Sequence, residues 1–498
     1  MSNWKRTALG SGGAESSRNV LYFNTDGYSG YSYFYRSPDN MITTKTSGNM
    51  LITYNHRAQQ PTGTQKVTIY DPYFNVLADG QPLYIFGASN NNLASKGLNH
   101  LTDASVGASG SYGQDDVVVG YQGASADNSV IVKATGTPST YTYKERQINN
   151  NYYNSSSSWY NAQGWMTHFI GDKAYDIRNH NSSGWAFMSY KYPPWSSGSW
   201  YSSSQIQGQN PGRYISSGGI CMFEPLSPTS MTTDFIIGYS IPYSGIAFKT
   251  MTHAGAAQSS GREGYVAGLS SSYVYWSRGQ IDRANNTAYM FDSDSMTLVK
   301  WNYSNGTITL YQVSLPGGSR TQFCYPMVFL NGYIYLMGYY QNNSTGAMYI
   351  IRMLASNPTS SSTYKVWNTQ GGTRQLSNFQ MVPGPNNFLG ETDLLSLAFE
   401  YKSASSRTEM IVANMLFTDI PELSSSGKVG AKLSVAGATT TITNVTSSYT
   451  IQSYANSSGI STMYSGNQGV GFPGIVTQDA YWSSRTASFA SGVALTSL

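Results

Sequence analysis

Charge is scarce in this sequence. Charged side chains make up 11% of the 498 residues, well under half of the roughly 25% usual for soluble domains. The 29 Lys and Arg are nearly balanced by 25 Asp and Glu, leaving a net charge of +4. No basic patch of the kind that holds a phosphate backbone is expected, so nucleic acid is not an expected partner. Cysteine is equally thin. Cys221 and Cys324 are too few for a disulfide scaffold and lack the paired spacing of a zinc site. No stretch approaches the about 18 apolar residues that span a bilayer, and the opening MSNWKRTALGSGGAESSRN has no apolar core of a secretory signal. Neither membrane insertion nor export is therefore expected. Sustained helical periodicity is missing too, which excludes coiled coils and helical bundles.

What is present is the stock of strands and turns. There are 41 Tyr, 10 Trp and 50 Gly, and aromatic residues reach 14%. Such large side chains exclude a disordered chain. Short β-branched and aromatic runs alternate with Gly, Asn, Ser and Asp, which predicts an all-β chain.

A weak internal repeat underlies these runs. An apolar strand, often closed by Tyr, is followed by a polar loop and a second apolar strand. The pairs begin at Met50 (MLITY, then KVTIY), Val117 (VVVGY, then SVIVK) and Phe235 (FIIGYS, then GIAFK). Further pairs begin at Ala288 (AYMFD, TLVKW, TITLY), Tyr333 (YIYLMGYY, then MYIIR) and Leu394 (LLSLAFEY, then EMIVA), with a single strand WAFMSY at Trp185. About seven hairpins at irregular spacing predict a β-propeller of six or seven blades, because a hairpin sheet buries its faces only against its neighbours. Tandem β-sandwiches are the alternative. The expected organisation is an N-terminal assembly segment over 1–45, a propeller-like body over 46–423, and a linker with a small C-terminal β module over 424–498.

Catalytic motifs are sparse. His56, His100, His168, His180 and His253 are scattered without metal-ligand spacing, and no Walker loop, nucleophile elbow or zincin motif occurs. No cofactor, metal or catalytic residue is expected. A glycosidase pair would have to come from acids such as Asp115, Asp116, Asp234, Asp292 and Asp294, and would show two carboxylates about 5–9.5 Å apart. Acids at hairpin ends are more often turn residues.

The aromatic loops say more. NNNYYNSSSSWYNAQGW (149–165) and KYPPWSSGSWYSSS (191–204) set Trp159, Tyr160, Trp165, Trp195, Trp200 and Tyr201 among Asn and Ser. Flat rings stack on sugar faces while Asn and Ser supply adaptable hydrogen bonds. These six residues are the candidate ligand- or partner-binding set, the alternative being that they pack insertions onto the scaffold. A Tyr-rich stretch, DGYSGYSYFYR (26–36), suits a sheet edge or a subunit contact.

The opening MSNWKRTALGSGGAE, a Trp with basic residues followed by Gly/Ala-rich turns, resembles the N-terminal segment of many virion proteins of tailed bacteriophages. The charge-poor, Ser/Asn/Gly/Tyr-rich body is similar to phage tail fibre, baseplate and nozzle proteins. The resemblance implies a structural, non-enzymatic protein of the virion tail, made in the host cytoplasm. Its partners would be other tail proteins, further copies of itself and a host-surface glycan. Trp4, Lys5 and Arg6 would belong to the assembly segment. A glycan-degrading virion enzyme and a free lectin-like module are the rival readings.

Overall fold

A computed structural model of the chain describes residues 6–7, 20–24, 36–56, 64–72, 76–82, 94–100, 113–122, 127–133, 143–149, 166–170, 173–179, 186–191, 201–206, 220–230, 232–241, 245–251, 263–267, 279–292, 296–313, 321–341, 345–370, 376–404, 407–416 and 476–477. Among these residues it contains seven four-stranded antiparallel sheets and one two-stranded ribbon. The ribbon joins β1 (Arg6–Thr7) to β30 (Val476–Thr477). β2 (Val20–Asn24) has its partner far along the chain, and from β3 onward every sheet takes consecutive strands.

The chain forms two compact units. The first, residues 1–83 and 315–498, holds three of the four-stranded sheets. The first sheet comprises β3 (Arg36–Thr43), β4 (Met50–His56), β5 (Thr64–Tyr70) and β6 (Val76–Pro82). The sixth comprises β23 (Thr321–Leu330), β24 (Tyr333–Gln341), β25 (Thr345–Leu354) and β26 (Asn357–Gln370). The seventh runs β27 (Leu376–Pro383), β28 (Leu394–Ala404), β29 (Arg407–Leu416) and then β2, with Val20 opposite Asn414 and Asn24 opposite Met410. One short helix, α1 (Asn386–Leu389), lies between β27 and β28.

The second unit, residues 84–314, holds four sheets. The second sheet comprises β7 (Ala94–His100), β8 (Asp116–Gln122), β9 (Asp127–Lys133) and β10 (Tyr143–Asn149). The third comprises β11 (Met166–Ile170), β12 (Lys173–Asn179), β13 (Ala186–Lys191) and β14 (Tyr201–Ile206). The fourth comprises β15 (Ile220–Pro225), β16 (Phe235–Ile241), β17 (Gly245–Met251) and β18 (Glu263–Ala267). The fifth comprises β19 (Gln280–Asp282), β20 (Thr287–Asp292), β21 (Thr297–Asn302) and β22 (Ile308–Gln312).

Core packing follows from this arrangement. In the second unit the fourth and fifth sheets share one apolar cluster. Met222, Ile236, Ile246 and Phe248 meet Ala288, Met290, Val299 and Trp301 there, with the Phe248 and Trp301 rings stacked at 5.1 Å. Gly238 leaves the space that the Met290 sulfur fills. In the first unit the first and seventh sheets do the same, through Met41, Met50, Ile52, Tyr54 and Tyr70 against Ala398, Met410 and Val412. Six of the sheets are simple meanders and the seventh is completed by β2; in the second unit consecutive sheets pack on one another, and in the first unit the sixth packs on the seventh and the seventh on the first. That is the β-propeller fold class. Tandem sandwiches would exchange strands between two sheets and leave the first and last sheets apart.

The division expected at residues 45 and 46 does not coincide with these elements. Residue 45 lies in the turn between β3 and β4, and residues 20–24 complete the seventh sheet. The physical reason is edge pairing: β29, whose Met410, Val412, Ala413 and Met415 are fully buried, takes the N-terminal strand on its free side. Most of 424–498 lies outside the described residues. Among the described residues no helix is long and apolar enough to cross a membrane.

Candidate functional site

Hairpin connections divide into two sets by strand direction. One end of each sheet carries the turns joining its first strand to its second and its third to its fourth. The opposite end carries the second-to-third connection and the passage to the next sheet. Nearly all the turns that the structure describes belong to the first set, here called the turn end.

In the second unit the densest polar cluster sits at that end of the fourth and fifth sheets. Arg283 donates from Nε and Nη2 to the Pro225 carbonyl at 3.0 and 2.8 Å, and its Nη2 lies 3.5 Å from Glu224 Oε2. The Asp282 carboxylate accepts the Asn285 backbone N–H at 3.2 Å and its Nδ2 at 2.8 Å. This Asx-type turn lets Asn286 take a φ of 51°. Burial, reinforced by the negative Asp282, pushes the Tyr289 phenol up from its ordinary value. Burial also raises Tyr303, although Arg283 opposes the shift. Both phenols therefore hold their protons more tightly than a free tyrosine does.

The first unit shows the same use of polar groups. At the turn end, Asn331 donates to the Thr392 carbonyl. The Arg352 guanidinium lies 3.7 Å from the centre of the Tyr333 ring and 3.8 Å from Asp393 Oδ2. Asn387 reaches the Lys45 carbonyl at 3.5 Å, and the buried Asn414 reaches the Pro72 carbonyl at 3.4 Å while accepting a 2.6 Å bond from Ser396. These groups stitch neighbouring sheets together. Sequence reasoning missed them because each partner lies in another sheet: Arg283 stands 58 positions from Pro225 and Asn331 stands 61 from Thr392.

The glycosidase candidates fall into turn roles where they are described. Asp116 is buried, and its Oδ2 accepts the Gly113 N–H at 2.9 Å. Asp234 accepts through its backbone carbonyl from Leu226 at 2.7 Å and from Thr233 at 2.9 Å. Asp292 is buried where β20 turns toward β21. Asp115 is half-buried in the turn before β8, and Asp294 lies outside the described residues. Among the described residues no group of three or more His, Cys, Asp or Glu is placed to hold a metal ion.

The aromatic set is positioned through the strands that flank it. Trp159, Tyr160, Trp165, Trp195 and Trp200 lie outside the described residues, as do Trp4 and Lys5. Tyr201 opens β14 and Arg6 opens β1. Residues 150–165 connect β10 to β11, and 192–200 connect β13 to β14. Met166 is opposite Ile177, whereas Lys191 is opposite Ala174. The two aromatic connectors therefore attach toward opposite ends of the third sheet, at levels three residues or roughly 10 Å apart at about 3.3 Å per residue along β12. The sheet between them is well anchored, with Tyr175 fully buried 4.9 Å from the Phe235 ring.

No family model matches the chain, and no curated protein matches it. Solved structures that it is similar to include a polysaccharide lyase, Uly1, at 8% identity and a TM-score of 0.42, over 83% of this chain and 97% of that one. They also include the β-propeller domain of Cps50 (Swd1) from Myceliophteria thermophila, at 8% identity and 0.43, over 76% and 98%. Hsv2 of Kluyveromyces lactis matches at 7% identity and 0.38, over 74% and 93%.

Proposed function

We propose that the protein is a non-catalytic β-propeller component of a tailed-phage particle, which joins the tail and displays aromatic loops to a host-surface glycan or to neighbouring tail proteins. The observation that carries this reading is the attachment of both Trp-rich connectors to one well-anchored sheet, the third. A rigid scaffold that spends its own polar groups on stitching leaves recognition to its loops, and weak loop contacts gain strength through copy number. The charge-poor composition supports it as well, because subunit contacts form without desolvating charge. The resemblance of the first fifteen residues to virion proteins is what supports this location.

Antibody labelling of purified particles under the electron microscope tests the location, and a tail without label refutes it. Binding is tested by Trp159→Ala/Trp165→Ala and Trp195→Ala/Trp200→Ala, scored for attachment to host cells and for incorporation into particles. At least one pair is expected to lose attachment or incorporation without a change in melting temperature. If both pairs match wild type in both assays, the loops are not the recognition surface. Release of oligosaccharide from host glycan by the purified protein would overturn the non-catalytic reading.

A further inference from the structure

Asn-Gly occurs twice in the chain, at Asn305–Gly306 and at Asn331–Gly332. Glycine leaves the nitrogen after the asparagine unshielded, so the amide carbon of the asparagine side chain can approach it. Both asparagines are exposed. Asn305 lies in the turn between β21 and β22, and Asn331 in the turn between β23 and β24. The two turns hold the amide differently.

At Asn331 the amide nitrogen is anchored. Its Nδ2 donates to the Thr392 carbonyl and lies 3.4 Å from Asp393 Oδ1, so the side chain is committed to the seventh sheet. Leu330 is opposite Tyr333, which leaves Asn331 and Gly332 as the whole turn, and their peptide cannot rotate without unpairing β23 from β24. At Asn305 the amide oxygen is anchored instead. Oδ1 accepts the Thr307 backbone N–H at 2.9 Å, an Asx-type bond that bends the side chain over the peptide joining Asn305 to Gly306. Cγ is thereby brought toward the Gly306 nitrogen. The Thr307 N–H is also placed to stabilise the negative charge that builds on Oδ1 when Cγ is attacked. Among the described residues nothing bonds to Nδ2 of Asn305. One contact opposes attack: the Gly306 N–H donates to the Asn302 carbonyl at 2.8 Å. That bond lies in an exposed turn, where water replaces it when it opens.

We propose that Asn305 is a site of spontaneous covalent modification. The Gly306 nitrogen gives its proton to solvent base and bonds to Asn305 Cγ; the Cγ–Nδ2 bond breaks, and Nδ2 leaves as ammonia. The product is a five-membered succinimide. Water then adds to one of its two carbonyls and opens the ring, giving aspartate, or isoaspartate when the main chain is left running through Cγ. The balance is an amide and water in, a carboxylate and ammonia out, with no oxidant or cofactor. The new carboxylate falls in a stretch, 301–319, that has no charged residue. Isoaspartate also adds a methylene to the main chain of the turn that leads into β22, whose Ile308 packs on the apolar cluster of the fourth and fifth sheets. The change runs one way, so it accumulates with the age of the molecule. It rests on the geometry of two turns and not on the virion reading.

The test follows both turns in one sample. Purified full-length protein is kept in mildly alkaline buffer, folded or in concentrated urea, and sampled over weeks. Peptides spanning each Asn-Gly are quantified by mass spectrometry, and isoaspartate is labelled with an isoaspartyl methyltransferase. In the folded protein, modification at Asn305 is expected to proceed several-fold faster than at Asn331, and in urea the two rates should converge. Asn305→Gln should remove most of the methyltransferase labelling from the folded protein. Absence of modification at Asn305, a rate at Asn331 that equals or exceeds it in the folded protein, or a difference that persists undiminished in urea would each overturn the proposal.

Discussion

Gly48→Ala is expected to weaken the first unit by about 2–5 kcal/mol, in two separable parts. Gly48 closes the turn between β3 and β4 with a φ of +67°, where an L side chain costs roughly 1–2 kcal/mol. The second part is steric. A Cβ at this position would stand 2.7 Å from Pro385 Cβ, 3.0 Å from Pro72 Cγ and 3.1 Å from Phe388 Cβ. Two of these neighbours are proline rings that cannot swing aside. Pro385 is further held by the chain around it, since Leu389 donates to its carbonyl at 3.0 Å and Asn386 is bonded on both sides to Leu394. Overpacking at so rigid a place costs about 1–3 kcal/mol.

Gly332 separates the two parts. It has nearly the same backbone, with a φ of +75°, and nothing within 4 Å of an added Cβ. Gly332→Ala should therefore show the backbone cost alone. The assay is urea unfolding of both variants beside wild type, followed by intrinsic Trp and Tyr fluorescence. The midpoint shift for Gly48→Ala should exceed that for Gly332→Ala by the equivalent of about 1–3 kcal/mol. Equal shifts would show that the β3–β4 turn is not wedged against Pro72 and Pro385. The first sheet would then not be packed on the seventh at this end.

Two further outcomes follow from the second unit. Arg283→Met should destabilise it by about 1–3 kcal/mol in urea unfolding, because two charge-assisted bonds to the Pro225 carbonyl are lost and the partly exposed site limits their worth; a loss below about 0.5 kcal/mol would show that the clamp is idle. The contribution of Tyr289 and Tyr303 to stability should be constant well below pH 10 and fall as the pH rises through it. The unfolded chain releases its tyrosine protons near pH 10, while Tyr289 and Tyr303 hold theirs to higher pH when folded, so the unfolded state binds fewer protons in that window. Tyr289→Phe should reduce the fall between pH 9 and 11, and an unchanged slope would mean that this phenol ionises freely in the folded state.

The fold was legible in the sequence at particular strands, and burial explains which. The apolar runs at Met50, Val117, Phe235, Ala288, Tyr333 and Leu394 are the second strands of six sheets, and each run paired with one supplies the third. The single run at Trp185 contains the third strand of the remaining sheet, β13. Central strands bury both faces, as Leu394–Phe399 does throughout, so they read as continuous apolar segments. Outer strands do not. β26, whose sequence is NPTSSSTYKVWNTQ, and β10, YKERQIN, carry no such pattern. β22 is half exposed, with Leu310 at 47%. The segment VLYFN at Val20–Asn24 does look like a strand, but no local signal shows that its partner begins at Arg407.

The aromatic candidates stand out in the sequence by residue type, but their placement on the fold does not, and the third sheet shows why. Read along the chain, 149–165 and 191–204 look like one aromatic region interrupted by a strand. Three strands in fact separate them, and an odd number of antiparallel strands returns the chain to the opposite end. The two connectors leave the sheet in opposite strand directions from levels roughly 10 Å apart along β12, so a ligand held at one end of the sheet engages one of them. Trp159 and Trp165, in the connector that leads from one sheet to the next, sit among Asn, Tyr and Ser suited to sugar hydroxyls. Trp195 and Trp200 flank a Ser/Gly run in the sequence between Lys191 and Tyr201, the residues at the turn end of β13 and β14, where the described side chains elsewhere serve packing between sheets. The expectation is a division of labour. Trp159→Ala/Trp165→Ala should abolish attachment to host cells while particles still incorporate the protein, and Trp195→Ala/Trp200→Ala should leave attachment intact. Equal loss of attachment in both pairs would require the two connectors to meet despite their anchors, and would refute the division by strand direction.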